Sequence, residues 1–74
     1  MFGISRETLE RLRREYPVGC RVILEKMDDE FAPPIGTEGV VRGVDDLGSV
    51  MVSWSTGSSL SVVYGEDACR RIDE

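Results

Sequence analysis

Apolar residues recur along this chain at two different periods. Over residues 5–16 they fall at Leu9, Leu12 and Tyr16, the i, i+3, i+7 spacing of a helix that buries one narrow stripe. Ser5 is placed to cap that helix. Glu7 stands in its first turn and Arg13 and Arg14 in its last, where the helix dipole favours each sign, and Pro17 ends it. Ile4 before the cap and Leu9 four residues after it have the spacing of a hydrophobic staple. A helix this short is marginal alone. Its stripe therefore needs a partner, either one end of the remaining fold or a second copy of the chain.

From Gly19 the period becomes two. Cys20, Val22 and Leu24 alternate with Arg21, Ile23 and Glu25, which predicts a half-buried strand over 19–26. A second strand is expected over 39–44 and a third over 49–55, with Val50, Val52 and Trp54 on one side and Met51, Ser53 and Ser55 on the other. A fourth, with Leu60, Val62 and Tyr64 aligned, is expected over 58–64, and a short fifth over 70–72. Asp45-Asp46-Leu47-Gly48 and Thr56-Gly57 read as hairpin turns, and Gly65-Glu66-Asp67-Ala68 as one tight helical turn. Gly36 and Gly39 read as turn glycines at the entrance of the second strand; the run between them lacks the lysine and following helix of a phosphate loop. Met27 to Gly36 holds Asp28, Asp29, Glu30, Phe31, Pro33 and Pro34 and cannot be a regular central strand.

These elements give a mainly β fold: a five-stranded SH3-like small barrel preceded by one N-terminal α-helix. The expected organisation is one compact domain, with residues 1–16 as the helical leader and 17–74 as the barrel. The expected core is Val22, Leu24, Val40, Val50, Val52, Trp54, Leu60, Val62 and Ile72.

Composition bounds the function. At 74 residues the chain has room for one core only, near the lower size at which a core is self-sufficient. Its charged fraction of 31% and hydrophobic fraction of 41% are those of a globular protein. It has no apolar run near the roughly 20 residues that a membrane helix requires. Arg6, Glu7 and Thr8 stand where a signal peptide would be apolar, so a cytoplasmic location is expected.

The net charge of −5 is unevenly spread. Residues 1–16 carry four arginines against three glutamates, a net +1, and residues 17–74 carry five basic against eleven acidic residues, a net −6. An acidic barrel repels phosphate and argues against nucleic acid as the partner. The remaining route to nucleic acid is a local strip in which Arg42, Arg70 and Arg71 join Arg11, Arg13 and Arg14. Acidity favours a basic protein partner, or mimicry of nucleic acid in a host protein's groove, and it also serves simple solubility.

Catalytic chemistry has little to build on. The chain has no histidine, and neither Cys20 nor Cys69 has a base beside it in sequence. The two cysteines read as small buried or half-buried thiols rather than a disulfide or metal pair, and no cofactor is implied. Asp28-Asp29 and Asp45-Asp46 read as turn carboxylates, and Asp28, Asp29 and Glu30 fit no calcium-loop spacing. No enzyme activity and no metal site are expected. The chemistry that remains is recognition. Asp28, Asp29, Glu30, Phe31 and Pro34 supply one wall of a groove, and Asp45 and Asp46, with Leu47, the other; a basic protein or peptide segment suits it.

The segments Tyr16-Pro17-Val18-Gly19-Cys20-Arg21-Val22, Met27-Asp28-Asp29, Gly36-Thr37-Glu38-Gly39, Gly43-Val44-Asp45-Asp46, Gly48, Trp54, Gly57-Ser58 and Gly65-Glu66-Asp67 resemble the domain-of-unknown-function family numbered 4314. The resemblance spans residues 16–72. It implies occurrence in Gram-positive bacteria and their phages and carries no assigned activity. The pattern of an apolar strand ending in Trp54, a Gly-Ser turn and then Tyr64-Gly65 is more distantly similar to the SH3-like domain of mind-bomb type ubiquitin ligases, which binds short peptide tails. Ser55-Thr56 departs from the Asp-Asn frequent in these families, and Cys20 and Cys69 stand at positions not associated with the first. The leading expectation is a non-enzymatic module that recognises a protein or peptide through the loop after the first strand. Two others stand beside it: a phage inhibitor acting by acidic mimicry, and a dimeric accessory domain associated through Leu9, Leu12 and Tyr16.

Overall fold

The computed structural model describes residues 4–72; residues 1–3 of the leader and residues 73 and 74 lie outside the described part. Helix α1 covers Arg6–Glu15 and is followed by β1 (Arg21–Lys26), β2 (Glu38–Val44), β3 (Val50–Trp54) and β4 (Ala68–Arg71). The Ser5 hydroxyl accepts the Thr8 amide at 3.1 Å, which satisfies one of the helix's open donors. The Tyr16 amide closes on the Leu12 carbonyl at 2.9 Å before Pro17, which has no amide to continue. Leu12 is buried, and Ile4, Leu9 and Tyr16 pack half-buried against the same core, so the helix stripe lies on the chain's own sheet.

All strand pairs are antiparallel, in the order β3-β2-β1-β4, and form one sheet. Val22, Leu24, Val41, Val52 and Trp54 make the centre of the core, each at most 3% exposed. Val40 was expected there, but it is 42% exposed and Val41 is fully buried in its place. The inward position before Val41 is Gly39, which has no side chain to reveal the alternation. A bulge between Val41 and Gly43 then shifts the register, so that Val41 and Val44 both face inward although three residues apart.

Gly39 is an inward-facing neighbour of Trp54 rather than a turn glycine: a Cβ there would lie 2.7 Å from the indole Cε3 and 2.5 Å from Val52 Cγ1. Gly36 does have turn geometry, at φ +95° within the turn closed by the Thr37 amide on the Pro34 carbonyl, and so do Gly48 and Gly57, at φ +86° and +96°. Each of the last two ends a tight hairpin loop in which its amide bonds the carbonyl three residues back, from Gly48 to Asp45 at 3.0 Å and from Gly57 to Trp54 at 2.9 Å.

The expected fourth strand is present only as a single bridge, Val50 to Val62. Residues 58–62 do run antiparallel to β3 in register: the Trp54 amide reaches the Ser58 carbonyl at 2.9 Å, and Val50 and Val62 exchange two bonds of 2.9 Å. The middle rung, Val52 with Leu60, is missing. Leu60 turns its amide to the Ser58 hydroxyl at 3.3 Å and its carbonyl to the Trp54 indole N–H at 2.8 Å. The side chain of one strand thereby takes the backbone of the next. Among the described residues the sheet has four strands and is open.

Candidate functional site

The connection from β1 to β2 is braced at several points. Asp29 takes the Phe31 amide on its carboxylate at 2.8 Å and the Ala32 amide on its carbonyl at 3.0 Å. Pro33 is buried. The Thr37 hydroxyl donates to the Pro34 carbonyl, and Gly36 and Thr37 continue the bonding to Leu24 from both sides. A second tight structure faces this loop: the amides of Glu66 and Asp67 both bond the Val63 carbonyl, and the Asp67 carboxylate accepts the Val63 amide at 2.9 Å.

Between these two elements lies a cleft of about 300 Å³. Met27, Leu60 and Val63 give it apolar walls, Ser61 a hydroxyl, and Asp28, Asp29, Glu66 and Asp67 four carboxylates, with no cation among its lining residues. Two of those carboxylates, Asp29 and Asp67, accept backbone amides and are held in place by them.

The family DUF4314, a domain of unknown function, matches residues 5–72. The chain belongs to that family. Among curated proteins, none matches it.

In this DUF4314 domain the expected groove is divided. Asp28 and Asp29 reach the cleft, whereas Asp45 and Asp46 lie at the other end of the strands, because β2 carries the chain from the 27–37 loop down to the 45–49 turn. There the Asp45 carboxylate accepts the Leu47 and Ser49 amides at 3.0 and 2.9 Å and shapes the hairpin. Asp46 pairs with Arg13 at 2.9 Å. The wall opposite Asp28 and Asp29 is the Leu60–Asp67 segment. Its clue in the sequence is the adjacent pair Glu66-Asp67 beside Gly65, which reads as a turn and gives no hint of what it faces. Glu30 and Phe31 stand exposed outside the cleft, as does Pro34.

A second hollow, of about 260 Å³, separates the end of α1 from residues 62–69. Here the Tyr16 hydroxyl donates to the Cys69 carbonyl at 3.3 Å. Tyr64, expected in line with the core, is 48% exposed because the chain turns at Val63. No disulfide joins Cys20 and Cys69. Burial, then the neighbouring Cys20 and Glu25, pushes the Cys69 thiol up to about 11, with a hydrogen bond from Tyr16 partly opposing. At neutral pH that thiol is protonated and a poor nucleophile.

Four of the six arginines of the expected strip are engaged by neighbouring groups. Arg13 is bound to Asp46 and to the Val44 carbonyl, Arg70 to Glu25 at 3.0 Å, Arg71 to the Glu15 carbonyl, and Arg42 to the Ser53 hydroxyl. Among the described residues no three of His, Cys, Asp and Glu come together as a metal-holding group, and no helix is long and apolar enough to cross a membrane.

Proposed function

We propose that this DUF4314 domain is a non-enzymatic binding module that receives a basic protein segment in the cleft between the β1–β2 loop and residues 60–67. One observation carries the reading: four carboxylates from two separate elements surround apolar walls, and no lining residue is cationic. A lysine or arginine side chain matches that arrangement, its aliphatic stem against Met27, Leu60 and Val63 and its charge at the rim. The protonated Cys69 and the lack of histidine support a role without catalysis.

The architecture we propose behind this site is the SH3-like small barrel. Its support is the strand order together with residues 58–62, which run beside β3 in register as a fifth strand would. In that architecture the cleft sits between the first long loop and the turn before the last strand.

The test is a titration with a fluorescently labelled arginine- and lysine-rich peptide, comparing the wild-type chain with an Asp28→Asn, Glu66→Gln variant. Saturable binding that weakens with salt and is lost in the variant supports the reading. Equal binding by both chains rejects it.

A further inference from the structure

The cleft accounts for Asp28 and Asp29 and leaves Phe31 unexplained. Phe31 is 75% exposed and Ile35 60% exposed, with exposed Pro34 between them. A single exposed apolar side chain on a surface needs no explanation. Here three share one loop, and the loop is stiff. The Asp29 carboxylate and carbonyl fix the turn that presents Phe31, buried Pro33 anchors the middle, and Thr37 and Gly36 tie the far end to Pro34 and Leu24.

An aromatic side chain on a braced backbone has only two torsions left to fix on association, and aromatic residues carry a large share of interface energy. We infer that Phe31 is a preformed knob and that its partner is a folded protein with an apolar pocket rimmed by lysine or arginine. An extended peptide offers no pocket to receive a ring that projects from a loop. A second copy of the chain brings the same net charge of −5 against the acidic residues 28–30 that flank Phe31. Charge complementarity therefore points to a basic partner surface. The inference rests on the proposed binding role and makes it specific: the cleft takes a cationic side chain of the partner while Phe31 enters the partner beside it.

The experiment is selection of binders to the intact chain from a displayed library of folded domains and, in parallel, from short linear tiles cut from the same sequences. Each binder is then measured against Phe31→Ala, against the cleft variant Asp28→Asn, Glu66→Gln, and against Leu47→Ala as an equally exposed control at the other end of the sheet. Thermal unfolding of Phe31→Ala is expected to match the wild type, since the side chain is in solvent. The inference predicts folded-domain binders that lose at least about tenfold in affinity with Phe31→Ala and little with Leu47→Ala. Linear tiles that bind Phe31→Ala as well as wild type, and only the cleft variant poorly, overturn the knob and leave the cleft reading standing. Binders indifferent to both variants, or none at all, overturn both. A dimer of the chain that Phe31→Ala abolishes overturns the basic partner in favour of a second copy.

Discussion

The indole N–H of Trp54 donates to the carbonyl of Leu60 at 2.8 Å, at the place where the ladder between β3 and residues 58–62 lacks its middle rung. The ring is 3% exposed and lies across Gly39. A buried indole must place its N–H somewhere, and the nearest acceptor is the backbone of the next segment. One side chain thus closes the core and positions Leu60, a wall of the acidic cleft.

Trp54→Phe keeps a ring in the core and removes the donor. It is expected to cost about 1–3 kcal/mol, measured by urea unfolding. It also frees the Leu60 carbonyl for the Val52 amide. Amide exchange at Val52, compared with that at Val41, whose amide bonds Cys20 at 2.9 Å, is expected to slow in the variant. An unchanged ratio contradicts the proposed competition.

Gly39→Ala is expected to be more damaging than Gly57→Ala. At Gly57 the left-handed φ of +96° costs about 1 kcal/mol, with no atom within 4 Å of the new methyl group. At Gly39 the methyl meets Val52, the indole and the Ser53 carbonyl at 2.5 to 2.9 Å, and overpacking of this kind costs about 1–3 kcal/mol and shifts the ring. Denaturant midpoints together with Trp54 emission distinguish the two effects.

Stability is expected to fall on the alkaline side. The folded chain keeps the Cys69 proton until about pH 11, whereas the unfolded chain releases it near its ordinary value of 9.0. The folded state therefore binds more protons between these values, and the stabilisation present below pH 9 is lost as pH rises toward 11. Tyr16, raised chiefly by burial, moves in the same direction from 10.0. Melting temperatures measured across this range are expected to decline in the wild type and less steeply in Cys69→Ala.

Arg13 joins α1 to the sheet through the Val44 carbonyl at 3.2 and 3.0 Å as well as through Asp46 at 2.9 Å. Arg13→Ala is expected to destabilise by about 1 kcal/mol, since charged hydrogen bonds outweigh exposed ion pairs. Asp46→Asn is expected to change less, because only the exposed partner is altered. Equal losses in thermal unfolding contradict this division.

The helix was legible because its cap, charges, stripe and terminating Pro17 all agree. The hairpin turns were legible because Asp45 to Gly48 and Trp54 to Gly57 place glycine where the left-handed residue is needed. Val40 against Val41 was not, since a glycine and a bulge hide the parity of β2. The strand expected over 58–64 was correct in register only at its Ser58 and Val62 rungs: Leu60 turns its amide to Ser58 and its carbonyl to Trp54, and the turn at Val63 takes Tyr64 out of line into solvent. For the site, sequence located the acidic loop, but its opposite wall depends on where the 60–67 segment returns. That is a tertiary relation with no local mark, and hairpin geometry carries Asp45 and Asp46 to the far end.

The most direct measurement is a ¹H–¹⁵N spectrum of the intact chain titrated with an arginine- and lysine-rich peptide. Saturable shifts are expected only at residues 27–29 and 60–67, with the indole N–H of Trp54 moving through Leu60 and the amides of residues 45–47 unmoved. Shifts spread evenly over every acidic segment, the 45–47 turn included, contradict a binding site in the cleft.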